Sequence, residues 1–123
     1  MKERDTLRIN ECGHLEIGGC DTVELARKYG TPLYVMDEAY IRKIARGYTD
    51  IMNSDYGDGL ICFASKAFSV KAIYEICKSE GLGADVVSGC ELLTALDAGT
   101  LIMLSLANLS QDACLRTAAL KTL

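Results

Sequence analysis

The sequence holds a single proline and a single histidine in 123 residues. One proline leaves no room for a proline-rich linker, and no low-complexity segment interrupts the chain. One histidine, His14, restricts metal chemistry, because a metal site needs three or four ligands at workable spacing. It lies two residues after Cys12, and a short turn between two strands explains that pair better than a ligand set. No block of basic residues is present, and the net charge is −4, so no nucleic-acid partner is expected. The longest apolar run, near Leu101 to Leu106, is far too short to span a bilayer, so no membrane role is expected either. Met1-Lys2-Glu3-Arg4-Asp5 leads into polar residues and not into an apolar signal core, which predicts a cytoplasmic protein. There is no Cys-x-x-Cys pair. The six cysteines, Cys12, Cys20, Cys62, Cys77, Cys90 and Cys114, are scattered, and we expect reduced thiols acting as small core residues.

What is present is an ordinary globular composition, 50% apolar and 24% charged. The length suits one domain with a core but falls short of a complete eight-unit α/β barrel, which takes about 250 residues. Leu7 to Ile9 and Leu15 to Ile17 flank Cys12-Gly13 and predict a hairpin. Asp21-Thr22 starts a helix that Gly30 closes, and Thr31-Pro32 breaks the chain. Leu33 to Met36 reads as a buried strand. Asp37 caps a second helix with Ile41, Ile44, Ala45 and Tyr48 at helical spacing. After a turn-rich loop at Asp55 to Gly59, Leu60 to Ala64 reads as a strand. Ser69 is placed to cap a helix whose apolar face is Ala72, Ile73, Ile76 and Cys77, ended by Gly81. Ala84 to Val87 is a further strand, and Ser88-Gly89 opens a helix carrying Leu92, Leu93, Ala95 and Leu96 that Gly99 closes. Leu101 to Leu106 predicts a last strand and Ser110 to Ala119 a last helix.

Alternating strands and helices joined by short loops predict an α/β fold with parallel strands and right-handed crossovers. A doubly wound open sheet and the first units of an α/β barrel both fit. Gly81-Leu82-Gly83 is the nearest approach to a dinucleotide fingerprint, and it fails, because position 86 is valine and the glycines follow a helix.

Functional groups in such folds gather where strands end. Lys66 comes straight after an apolar strand, and a partly desolvated lysine there can act as an amine nucleophile towards a carbonyl. A solvated lysine at a strand end is the plainer reading. Asp85, in or just after its strand, can face a cationic group or simply lie in an edge position. Ser88-Gly89-Cys90-Glu91 stands at a helix start, where backbone N–H groups bind anions and an acid suits the helix dipole whatever the function.

Taken together, Phe63-Ala64-Ser65-Lys66-Ala67-Phe68, then Gly81-Leu82-Gly83-Ala84-Asp85-Val86-Val87-Ser88-Gly89 and Glu91-Leu92, preceded by Thr31-Pro32-Leu33-Tyr34-Val35, resemble the pyridoxal-phosphate-dependent decarboxylases of barrel fold. The likeness covers roughly residues 5 to 99, and Phe68 suits the branch acting on diaminopimelate better than the ornithine or arginine branches. The resemblance implies a partial (β/α)8 TIM barrel of the alanine-racemase-like type: the first three to four strand–helix units plus an N-terminal β-hairpin. Residues 1–30 would pack on a β-rich domain elsewhere in such enzymes, and residues 31–99 would be the first units of the cofactor-binding barrel. It further implies that Lys66 is catalytic and carries pyridoxal phosphate through its amine, that Ala64 and Asp85 lie beside the cofactor, and that Ser88 and Glu91 line the site. The expected substrate is a small amino acid, meso-2,6-diaminopimelate decarboxylated to L-lysine in lysine biosynthesis, and the full-length family member would be a homodimer. Other decarboxylases or racemases on the same barrel, or a non-catalytic homologue that binds a partner chain, are the alternatives.

Two departures from the family pattern stand out. Cys90 occupies a position where the family usually has glycine. From Thr100 the chain carries no His-Gly-Asn type element, so residues 100–123 are expected to be a divergent tail, possibly out of frame, and the short chain is expected to be inactive alone.

Overall fold

A computed structural model of the chain describes residues 6–104. The chain divides into two units, Met1–Ile44 and Ala45–Leu123, with the division falling inside a helix.

The first unit opens with the expected hairpin. Strands β1 (Leu7–Ile9) and β2 (Leu15–Ile17) pair antiparallel, with Leu7 opposite Ile17 and Ile9 opposite Leu15. Asn10 makes the turn: its Oδ1 accepts from the backbone N–H groups of Cys12 (3.0 Å) and His14 (2.9 Å). Gly13 takes φ 76°, a conformation that favours glycine. A two-residue strand that the pattern did not show, β3 (Cys20–Asp21), returns beside β2. Helix α1 (Thr22–Tyr29) follows, and Asp21 caps it by accepting from Val23 N and Glu24 N. Gly30, at φ 81°, ends it.

The segment Leu33 to Met36 corrects the reading as a buried strand. It has no regular structure, and Leu33, Tyr34 and Met36 are exposed, Tyr34 at 92%. An apolar run becomes a strand only where a neighbouring strand can take its N–H and C=O groups, and no ladder among the described residues includes this one. Helix α2 (Glu38–Ile51) does begin at Asp37, whose Oδ1 accepts from Tyr40 N at 3.0 Å. Of its expected apolar face only Ala45 is buried, while Ile44 and Tyr48 are exposed.

In the second unit a π-helical turn, Met52–Tyr56, replaces part of the expected loop. Three parallel strands then form one sheet in the order β4 (Cys62–Ala64), β5 (Gly83–Val86), β6 (Ile102–Leu104). Their register sets Ala64 opposite Asp85 and Asp85 opposite Met103. Helices α3 (Lys71–Ser79) and α4 (Gly89–Asp97) are the crossovers and pack on β5. The core between helices and sheet holds Ile73, Tyr74, Cys77, Ala84, Val86, Leu92 and Ala95. Successive strand residues face opposite ways, so Ala84 and Val86 point to the helices and Asp85 to the other face.

Three further expectations change. Ser69 caps nothing: α3 starts after Val70, and the Ser69 hydroxyl instead meets Tyr74 Oη at 3.0 Å. Ala72 is exposed, and Tyr74, fully buried, takes the core position. Of the cysteines among the described residues, Cys77 is buried, Cys12, Cys20 and Cys90 are exposed and Cys62 is half-buried, all as free thiols. A small thiol can lie on either side of an amphipathic element, so composition alone does not bury it. The expected helix at Ser110 to Ala119 and Cys114 lie outside the described residues. No helix among the described residues is long and apolar enough to cross a membrane.

Candidate active site

The polar groups of interest collect at the carboxyl ends of β4 and β5. Strand β4 stops at Ala64, and the chain turns at once into a single 3-10 turn, Ser65–Ala67, which Phe68 N closes on Ser65 O at 3.0 Å. Lys66 is the middle residue of that turn. It is exposed and makes no hydrogen bond or ion pair among the described residues. These are the surroundings that the plainer reading of a solvated lysine implies: among the described residues, helices α3 and α4 lie on the other face of the sheet and none covers the lysine.

The turn is anchored on both sides of the lysine. Ser65 is 1% exposed, and its Oγ donates to the Asp85 carbonyl at 2.9 Å. Glu91 Oε2 is also near, at 3.4 Å. One hydroxyl proton serves one acceptor at a time, and the shorter contact identifies the Asp85 carbonyl. On the other side, Ser69 meets the buried Tyr74 hydroxyl.

Asp85 lies on the helix-free face in register with Ala64. Its Oδ1 is buried and has no hydrogen-bond partner among the described residues. A buried carboxylate oxygen without a donor is costly unless a donor or cation arrives. Two positions down the same face is Cys62, whose thiol is pushed up from its ordinary pKa by burial first and then by the Asp85 carboxylate. Gly83 lies opposite Cys62 in the ladder, and its neighbours close in over it. A Cβ there would meet Leu60 Cδ2 at 3.0 Å, Cys62 Sγ at 3.2 Å and Leu101 O at 3.2 Å.

Ser88 and Glu91 have other employment. Ser88 caps α4, accepting from Glu91 N at 3.4 Å, and Glu91 reaches back so that its Oε2 accepts from Val87 N at 2.7 Å. Glu91 is 8% exposed and braces the strand ends from α4. Lys66, Ala64 and Asp85 are thus brought together on adjacent strand ends, while Ser88 and Glu91 sit in the packing that holds them. Sequence reasoning missed the roles of Ser65, Cys62 and Tyr74. Strand alternation was the available signal: it places Ser65 with Phe63, on the side opposite Ala64.

His14 belongs to the first unit. Its Nδ1 lies 2.9 Å from Asp21 Oδ2, which also accepts from Asn10 Nδ2 at 2.8 Å. The His14 contact is the main reason the Asp21 carboxyl drops from its ordinary 3.8 to about 2. No group of three or more metal-binding side chains occurs among the described residues.

Comparison with known proteins identifies the family. A family model described as the pyridoxal-binding domain of the pyridoxal-dependent decarboxylases matches residues 38–106, and so continues past Thr100. Diaminopimelate decarboxylase of Bacillus methanolicus is 55% identical over 94 residues, which is 76% of this chain and 22% of that protein. That of Bacillus subtilis (strain 168) is 51% identical over the same length. The chain therefore spans about a fifth of the length of these relatives. Among solved structures, diaminopimelate decarboxylase of M. jannaschii aligns with a TM-score of 0.70 at 36% identity, over 82% of this chain and 25% of that one. The same enzyme in co-complex with L-lysine aligns equally well, at 0.70 and 36% over 81% of this chain. With more than half of its residues matched by the family model, an α/β sheet shared with those structures and Lys66 at the expected strand end, the chain belongs to the pyridoxal-dependent decarboxylases.

Proposed function

We propose that this chain forms the first strand–helix units of the cofactor barrel of a decarboxylase that converts meso-2,6-diaminopimelate to L-lysine and carbon dioxide. The observation that supports it best is the pair Lys66 and Asp85 at the carboxyl ends of two adjacent parallel strands. Active groups of (β/α)8 enzymes gather at that end of the barrel. The sheet β4-β5-β6 with α3 and α4 on one face is consistent with three consecutive barrel strands.

The residues present fit pyridoxal phosphate. Lys66 offers an amine with no competing partner among the described residues, and Asp85 Oδ1 is a buried acceptor in want of a donor. Ala64, opposite Asp85 in the ladder, adds only a methyl group beside them. Lys66 would hold the cofactor through its amine, with Ala64 and Asp85 beside it. The bound cofactor supplies an electron sink for the pair left when the substrate carboxylate departs as carbon dioxide. Lys66 then has two tasks, to give way to the substrate amine and to hold a proton near the carbon that needs one. Asp85 can pair with a cationic group through its free oxygen, an interaction strengthened by burial. Ser88 and Glu91 would act from behind, by fixing the start of α4 against these strand ends.

The test is a hybrid in which residues 1–99 replace the matching part of a related diaminopimelate decarboxylase. It should take up pyridoxal phosphate, and borohydride should fix the cofactor to Lys66, with Lys66→Ala abolishing both the adduct and turnover of diaminopimelate. An adduct on Lys71 or Lys78 instead would overturn the assignment.

A further inference from the structure

Ser65 has been given no part in the chemistry so far, yet it is the most deeply buried polar side chain near Lys66. At 1% exposure it occupies a position where alanine or valine would pack without a hydroxyl to satisfy. Its Oγ donates to the Asp85 carbonyl at 2.9 Å and lies 3.4 Å from Glu91 Oε2. Glu91 in turn accepts from Val87 N at 2.7 Å. The hydroxyl therefore joins the residue before Lys66 to the end of β5, with the Glu91 carboxylate of the first turn of α4 close by. The residue that would carry the ligand is thereby tied to the residue that would face it. The turn after Lys66 has its own anchor, the contact of Ser69 with Tyr74. Lys66 itself has no partner among the described residues, so the turn that carries it decides where the amine points.

We propose that Ser65, held by the Asp85 carbonyl, is a positioning residue that fixes the direction in which Lys66 presents its amine to a carbonyl ligand. This rests on the reading of Lys66 as the pyridoxal-phosphate lysine. A side chain that only filled space could lose its hydroxyl at a cost in stability and nothing else. One that aims the lysine must change the reactivity of Lys66 relative to other lysines in a chain that is still folded. Misplacing a reacting group by about 1 Å can cost on the order of a hundredfold in rate, so loss of one anchor out of two is expected to cost on the order of tenfold.

The experiment uses the whole 123-residue chain, a limiting amount of pyridoxal phosphate and borohydride, with labelled peptides quantified by mass spectrometry. Lys78 serves as the internal reference, and circular dichroism checks that each variant is folded. The unaltered chain should label Lys66 well above Lys78. Ser65→Ala should reduce the Lys66-to-Lys78 ratio about tenfold. Ser65→Cys, which keeps the size and a weak donor, should fall between the two and covers the case in which Ser65→Ala does not fold. Amide hydrogen exchange at residues 65–68 should quicken in the same order. Preferential labelling of Lys66 that survives in folded Ser65→Ala or Ser65→Cys unchanged overturns the positioning role and leaves the reading of Lys66 intact. Equal labelling of Lys66 and Lys78 in the unaltered chain overturns both.

Discussion

Tyr74→Phe removes one oxygen from the centre of the second unit and nothing else. The ring is fully buried, and its hydroxyl lies 3.0 Å from Ser69 Oγ, three residues beyond Lys66. The lost hydrogen bond should cost about 0.5–1.5 kcal/mol, at the lower end if the partly buried Ser69 turns to water instead. The ring keeps its packing, so no cavity term applies. Tyr74→Ala, by contrast, empties a fully buried site and should cost about 3–5 kcal/mol. In urea, followed by far-ultraviolet circular dichroism, a 1 kcal/mol loss with a slope of about 1–3 kcal/mol per molar moves the midpoint by roughly 0.3–1 M. The slope itself should not change. Ser69→Ala should cost about as much as Tyr74→Phe, and the double variant little more than either, because both remove the same bond. The reasoning is refuted if the two single losses simply add, or if Tyr74→Phe is as damaging as Tyr74→Ala.

Other expectations follow from the same geometry. Asp21 titrates near 2 in the folded chain against an ordinary 3.8, so its contribution to stability is present above about pH 4 and is lost as pH falls towards 2; carboxyl NMR should show His14→Ala moving the Asp21 midpoint back up, since His14 is the main cause. Asp85→Asn should lower the pH midpoint for alkylation of Cys62 only slightly, because burial outweighs the carboxylate, and a full return to the ordinary thiol value would reverse that ranking. Gly83→Ala pushes a methyl group to within 3.0–3.2 Å of Leu60, Cys62 and the Leu101 carbonyl and should cost about 1–3 kcal/mol in a thermal melt, whereas no loss would mean that β4 and β5 can separate. The chain alone, given cofactor and diaminopimelate, should release no measurable carbon dioxide; turnover abolished by Lys66→Ala would show that these residues suffice.

Much of this fold can be read from local rules. The hairpin at Leu7 to Ile17, α1 with its Asp21 cap and Gly30 stop, and the strand–helix–strand path from Cys62 to Leu104 each depend on residues close in sequence. Where the reading failed, a distant neighbour decided. Leu33 to Met36 has the composition of a strand but no ladder among the described residues to join. Ser69 has the chemistry of a cap, but its hydroxyl goes to Tyr74. The apolar face read as Ala72, Ile73, Ile76 and Cys77 left out Tyr74, which is fully buried, and included Ala72, which is exposed.

The site shows the same division more sharply. The positions of Lys66 and Asp85 at strand ends were legible from the strand pattern, though their proposed roles came only from the family resemblance, and the β4–β5 register sets Ala64 against Asp85. Glu91 was legible as an acid at a helix start but illegible as to its duty. An acid in the first turn is favoured by the helix dipole with or without a function. Only the distances from its Oε2 to Val87 N and Ser65 Oγ show that it serves the strand ends. Ser65 was hidden for a related reason. A serine beside a functional lysine carries no signal of its own, because a hydroxyl can be solvated, capping or bracing with equal ease. What distinguishes it is burial, and burial comes from α4 closing over the helix-covered face of the sheet about 26 residues later in the chain. A pattern read along the sequence therefore finds the groups that would react before it finds the groups that aim them.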